Sequence, residues 1–300
     1  ECEDTDFDAA KSTFVEYSYP DVTMLVIKND INFCLKSFLN DSQLDKHSIR
    51  LSEDAFVDEI FSSAPSFGAC LLKALSPRAY VDLNRAAWEL DPTMFNEDLP
   101  PHIITKSPYI AAGLGTVPKI VASGKEISNR KFSFAEIEKR ILMHYFPYHQ
   151  TLDNLIKEKK KYFNSILIVD CHSMPSDKSN TRKTSDALPD IVLGDNNGFA
   201  CGSETLGLIS DLFLKNNFTI AKNKPYAGGF TTQNYGQPSK GVHVIQIEIN
   251  RSLYMNETRI IKNENFSALV ERINRIIAEL TKLVPQVLET STLRYLDAAE

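Results

Sequence analysis

The chain is predicted to be an α/β protein, long enough for one large domain or two ordinary ones, with a central sheet flanked by helices on both faces. Three observations carry this. Ser165–Val169 (SILIV) is a short, continuous apolar run of the kind buried on both faces of a sheet. Val244–Ile249 (VIQIEI) alternates, with Gln246 and Glu248 on one side and Ile245, Ile247 and Ile249 on the other. Phe266, Leu269, Val270, Ile273, Ile276, Ile277, Leu280, Leu283 and Val284 recur at helical spacing and form a long apolar stripe. Strands interleaved with helices give a sheet that helices cover.

The remaining elements follow in chain order. Val22–Ile27 (VTMLVI) reads as a buried strand. Ser52 has the chemistry of an N-cap for a helix over EDAFVDEIF, with carboxylates in its first turn. Cys70–Leu75 and Ala79–Leu83 (AYVDL) read as strands, the second running into Asn84 and Arg85. Residues 92–125 are loop-rich, and Phe134–Lys161 has helical periodicity, broken at Pro147. The strand over SILIV stops at Asp170-Cys171-His172, and the polar stretch Ser173–Pro189 reads as a loop. Glu204–Lys215 is predicted helical and Phe218–Ala221 extended.

Composition narrows the function classes. A formal charge of -6 argues against a nucleic-acid binder, which usually presents a basic face. No apolar stretch approaches the ~20 residues of a membrane span. The opening ECEDTDFDAA is acidic and reads as no secretory leader. Five cysteines without a CxxC pair make neither a disulfide framework nor a zinc ribbon, so a reducing cytoplasm is expected.

Several residues carry candidate chemistry. His172 lies at the carboxyl end of a buried strand, where ligands gather in open α/β sheets; the alternative is an ordinary hydrogen-bonded histidine. Glu248 inside VIQIEI is costly to bury unpartnered and suits a general base, or else pairs with Arg251 as structural glue. Arg78, Asn84 and Arg85 match an acidic substrate through the planar guanidinium fork, or else form surface salt bridges. Asp54 and Asp58, four apart, share one face of the proposed helix: either a cation lies between them or both favour its N-terminal end. His144 and His149 are poorly spaced for joint metal ligation. Cys171 beside His172 invites a thiol nucleophile, but adjacent strand residues point to opposite faces.

The strings SEDAFVDEIF, SPRAYVDLNRAAWELDPTMF, FPYHQTL, VDCHSMPS, PDIVLGD, NKPYAGGFTTQNYG and GVHVIQIEINRSLYMNE together resemble the N-formylglutamate amidohydrolases, in family order, between about residues 45 and 260. The resemblance implies a zinc-carboxypeptidase-like fold with a mixed sheet of about eight strands, as one catalytic domain over residues 21–290 after an extension over residues 1–20, and kinship with aspartoacylase and succinylglutamate desuccinylase. It implies hydrolysis of the formyl amide of an acidic N-acyl amino acid, at the end of histidine degradation. Glu248 is then the catalytic base. Arg78, Asn84, Arg85, Tyr226 and Thr231 bind this small-molecule substrate. Zinc is the implied cofactor, held by His172 and by Asp54 or Asp58. One position departs from the family: where a Pro-His-Ser-Gly motif supplies a first zinc ligand, this chain reads Lys28-Asn29-Asp30. Asp30 or His47 is the substitute donor available, and the alternative is a catalytically impaired member that binds acidic amino acids or a protein partner.

Overall fold

The computed structural model of the chain describes residues 13–16, 22–27, 36–176 and 188–297. In chain order the strands are β1 (Thr13–Glu16), β2 (Val22–Ile27), β3 (Cys70–Ala74), β4 (Ile166–Met174), β5 (Ile191–Gly194), β6 (Ile220–Lys222), β7 (Val242–Asn250), β8 (Met255–Asn256) and β9 (Ile261–Lys262). The helices are α1 (Lys36–Asp41), α2 (Lys46–Arg50), α3 (Val57–Ile60), α4 (Pro108–Ala111), α5 (Phe134–Lys160), α6 (Ser203–Lys215), α7 (Phe230–Tyr235) and α8 (Phe266–Asp297). Among the described residues, seven strands form one sheet in the order β1-β3-β2-β4-β7-β5-β6, and β8 pairs with β9 in a small hairpin. The β2–β4, β4–β7 and β5–β6 pairs are parallel, whereas β5 runs antiparallel to β7, so the sheet is mixed.

The chain forms two compact units, each built from several segments. Unit 1 comprises residues 1–14, 27–55 and 74–154; unit 2 comprises residues 15–26, 56–73 and 155–300. Unit 2 holds the centre of the sheet. All nine positions of β4 and all nine of β7 are buried, on both faces. Within unit 2, α8 packs against α6, α3 and β4, and α7 against β7. The predicted stripe on α8 is the buried one from Leu269 through Leu280 to Val284, although Leu283 is exposed. Unit 1 has its own small core of Phe38, Ile49, Ala79, Val121 and Ile127.

Several expectations need correction. Ala79–Leu83 is a turn, not a strand. The amides of Tyr80 and Val81 both bond the Pro77 carbonyl, and the Asp82 carboxylate accepts from the Asn84 N–H. Such local side-chain and turn bonds compete with a strand ladder. Ser52 caps no helix, because its hydroxyl accepts from the Ala122 amide. The chain then turns through Phe56, which adopts a left-handed φ of 66°, and the helix is only the four residues of α3. Asp54 lies outside it, so Asp54 and Asp58 share no helix face. Pro147 does not break α5, which runs 27 residues through it. A proline costs a helix about 3 kcal/mol. Burial of Ile137, Ile141, Tyr145, Tyr148, Leu152 and Leu155 outweighs that, at roughly 1.5–3 kcal/mol per large apolar side chain. Finally, β4 does not end at Asp170 but continues through His172 to Met174. Lys28, Asn29 and Asp30 lie outside the described residues, as does most of the Ser173–Pro189 stretch.

Candidate active site

Strand register assembles a polar floor in unit 2. His172 lies opposite Glu248, and Asp170 opposite Gln246, across the parallel β4–β7 ladder. Residues in register share a face and alternate along each strand. The four side chains therefore form a two-by-two array on one face, with His172 and Glu248 in the row nearer the strands' carboxyl ends. All four are buried, with Glu248 the most accessible at 8%. Deeper in each strand sits a partner for the outer group. Asp170 Oδ1 is 3.0 Å from His172 Nε2, and Gln246 Nε2 donates to Glu248 Oε1 at 2.8 Å. A carboxylate only accepts, so a neutral His172 carries its proton on Nε2 and has Nδ1 as its acceptor nitrogen.

On β5, Gly194 and Val192 register with Gln246 and Glu248 on the same face. A Cβ on Gly194 would lie 2.7 Å from the Ala227 carbonyl carbon and 2.9 Å from the Gly228 nitrogen. The backbone after Tyr226 thus crosses directly over that register position, bringing the segment to the edge of the polar floor. Tyr226 is 37% exposed, whereas Thr231 is buried in the first turn of α7, which packs on β7.

Along β4 and β7 the opposite face is mostly apolar, with Ser173 and His243 its polar members. Cys171 lies there, opposite Ile247. Burial pushes the thiols of Cys171 and Cys201 well up, and a raised thiol pKa removes the nucleophilic thiolate. A thiol-based mechanism is not supported by this geometry.

Unit 1 holds the arginine group on the turn that replaced the predicted strand. Arg78 Nε lies 3.0 Å from Asp82 Oδ2 and its Nη1 lies 3.4 Å from Asp54 Oδ2. Arg85 donates from Nε to the Leu114 carbonyl at 2.9 Å and from Nη1 to the Asn84 carbonyl at 2.7 Å, and stacks 4.0 Å over the Tyr109 ring. Burial pushes the Asp82 carboxyl up, but Arg78, Arg85 and the Asn84 N–H outweigh it and hold it below the usual carboxylate range. The turn is anchored by α5. Tyr145 donates to the Arg85 carbonyl at 2.8 Å, His149 Nε2 bonds the Leu83 carbonyl at 3.0 Å, and His144 Nδ1 bonds Ser76 Oγ at 2.8 Å. The two histidines of FPYHQTL and its neighbourhood therefore fasten a loop. Of the two guanidinium groups, Arg78 is the more accessible, at 24% against 9% for Arg85.

The predicted residues therefore fall into two groups: Arg78, Asn84, Arg85 and Asp54 in unit 1, and His172, Glu248, Tyr226, Thr231 and Asp58 in unit 2. Asp82, Tyr145, His149, Asp170 and Gln246 complete their geometry and were not predicted as site residues. For Asp170 a signal existed: it shares strand parity with His172, two residues away. Among the described residues, no group of three or more His, Cys, Asp or Glu side chains is arranged to hold a metal ion. His172 has the carboxylate-backed ring of a good ligand, but Asp54 is engaged by Arg78, and His47 is exposed on α2. The described donors thus do not by themselves fit a zinc site.

A buried imidazole and carboxylate, each braced from the layer beneath at the carboxyl ends of two central strands, form an arrangement chemically suited to acid–base work in an α/β protein. Comparison with known proteins narrows the class to amidohydrolases. The chain belongs to the N-formylglutamate amidohydrolase family, whose sequence model matches residues 31–255. It is 27% identical over 209 residues to an N-formylglutamate deformylase of Pseudomonas putida, covering 68% of this chain and 71% of the relative. It is 28% identical over 208 residues to that of Pseudomonas aeruginosa, with the same coverage of each chain. The crystal structure of N-formylglutamate amidohydrolase from Ralstonia eutropha superposes with a TM-score of 0.85 at 27% identity, covering 92% of this chain and 99% of that one. A gene product of Agrobacterium tumefaciens shares the fold at a TM-score of 0.62 and 16% identity, covering 91% and 94% of the two chains.

Proposed function

We propose that the chain hydrolyses the formyl amide of N-formyl-L-glutamate, or of a close N-acyl acidic amino acid, to formate and the free amino acid. The observation that carries this reading is the braced pair of His172 and Glu248 on one sheet face, in a chain of this family. Glu248 removes a proton from the attacking water as its oxygen bonds the formyl carbon. The same carboxyl then delivers that proton to the amide nitrogen as the carbon–nitrogen bond breaks. Arg78, with Asn84, recognises substrate carboxylate, while Arg85 shapes the turn and contributes to the same recognition. The hydroxyls of Tyr226 and Thr231 orient the acyl amino acid. Zinc belongs to this proposal on the chemistry of His172 alone, and no step above is assigned to a metal. A cytoplasmic place at the end of histidine degradation is part of the same reading.

The test is formate release from N-formylglutamate by the purified chain, with its metal content measured by elemental analysis. Glu248→Gln is expected to lower kcat by roughly 10²–10⁴-fold, the usual contribution of a general acid–base group, while the thermal midpoint stays within a few degrees. Equal rates for the two proteins would reject Glu248 as the base. A second reading is favoured by Lys28-Asn29-Asp30 standing where the family has a histidine: an impaired member that binds acidic amino acids. Calorimetric binding of glutamate-type ligands without formate release would select it, and turnover would exclude it.

A further inference from the structure

The amide of Gln246 presents a contradiction that points to its purpose. Its Nε2 donates to Glu248 Oε1 at 2.8 Å, yet its Oε1 is fully buried and has no hydrogen-bond partner among the described residues. The orientation of the amide is not arbitrary. A carboxylate accepts only, so the N–H end must face Glu248, and the carbonyl end is the one stranded. Its neighbours in register explain why nothing satisfies it. On β4 stands Asp170, itself an acceptor engaged with His172; on β5 stands Gly194, which has no side chain. A buried carbonyl without a donor costs roughly 1–3 kcal/mol. A methionine of similar length would avoid that cost, so stability alone does not account for glutamine here.

We infer that Gln246 is a positioning residue for Glu248, its N–H holding one carboxylate oxygen so that the other is aimed at the reacting water. The inference rests on the proposed role of Glu248 in amide hydrolysis. Gln246 lies two residues deeper in β7 than Glu248 and acts through it, without touching substrate. It parallels Asp170, which lies two residues deeper than His172 in β4. The outer row of the floor thus carries the chemistry and the inner row sets its geometry. Displacing a reacting group by about 1 Å costs on the order of 10²-fold in rate, so a single lost anchor is measurable.

The test compares the wild-type chain with Gln246→Met, Glu248→Gln and the double variant, using N-formylglutamate as substrate. Gln246→Met is expected to lower kcat about 10- to 100-fold, leave KM within about twofold, and leave the thermal midpoint nearly unchanged. Its effect should vanish in the Glu248→Gln background, because a residue acting only through Glu248 has nothing left to position. An unchanged kcat for Gln246→Met, or a double variant well below Glu248→Gln, would overturn the inference. A wild-type chain that releases no formate would instead reject the functional reading. Gln246 is then judged by the Glu248 carboxyl resonance in protein labelled with 13C-glutamate and recorded at one fixed pH, assigned by its loss in Glu248→Gln. Displacement of that resonance in Gln246→Met supports the anchor, and an unmoved resonance overturns it.

Discussion

Arg78 and Arg85 show how two identical side chains on one turn divide their work. Arg85 spends its N–H groups on the carbonyls of Leu114 and Asn84 and its face on Tyr109. Arg78 holds Asp82 closely, reaches Asp54 at a looser 3.4 Å, and keeps access to solvent. Arg85→Met is therefore expected to destabilise the fold by about 2–4 kcal/mol, since it strands two carbonyl acceptors and removes one of the two cations beside the buried Asp82. Arg78→Lys keeps the charge but loses the fork, and is expected to raise KM for N-formylglutamate about tenfold or more with little change in the chemical melt. A chemical denaturation curve and a KM measurement on each variant separate the two roles; equal effects of both substitutions on KM would contradict them. From sequence, the three residues of this turn were legible as an arginine–amide group. Their division of labour was not, because it depends on carbonyls that any sequence possesses and on an α5 face supplied from another part of the chain.

At the scale of elements, the strand pattern was readable where hydrophobic periodicity alone decides. VTMLVI, SILIV and VIQIEI are the central strands β2, β4 and β7. The alternation in VIQIEI placed Gln246 and Glu248 on one face before any register was known. What periodicity could not supply was register, because strands from distant parts of the chain decide which side chains become neighbours. That is why His172 was not expected opposite Glu248, nor Asp170 opposite Gln246. Ala79–Leu83 failed for a local reason, since Pro77 and Asp82 offered the backbone a turn. The Tyr226–Gly228 crossover over Gly194 is likewise invisible in sequence. It yields a sharp expectation. Gly194→Ala forces a methyl to within 2.7 Å of the Ala227 carbonyl carbon, where backbone must move. The segment carrying Tyr226 should lift from the floor and KM should rise several-fold, measured against an unchanged far-ultraviolet circular dichroism spectrum. An unaltered KM would show that the crossover has no part in substrate binding.

For the whole molecule, two histidines, His144 half-buried and His243 buried, link stability to acidity. Burial, with Arg140 nearby, lowers the His144 pKa from 6.5 to about 4, and burial with Lys160 nearby does the same for His243. His243 is further committed to the neutral form because its Nδ1 accepts the Gly202 N–H at 3.0 Å. Above the unfolded value of 6.5 both rings are neutral folded or unfolded, and nothing is lost. As pH falls from there, the unfolded chain binds protons that the folded chain refuses. Stability drops until about pH 4, where the folded rings protonate too, for a loss on the order of 2–3 kcal/mol per ring. Thermal midpoints recorded between pH 7.5 and 4.5 should fall, and His144→Phe or His243→Asn should flatten that slope. A slope unaffected by either substitution would assign acid sensitivity to other groups.

Cys70, Cys171 and Cys201 are all buried, and their raised thiol pKa values disarm them as nucleophiles. They also become internal clocks. With Cys2 and Cys34 replaced by serine, a maleimide added to the native protein should label only molecules that transiently open, Cys171 among the last because it lies in the central strand. The rate of alkylation at Cys171 then reads how often the innermost ladder between β4 and β7 parts, without any substrate present.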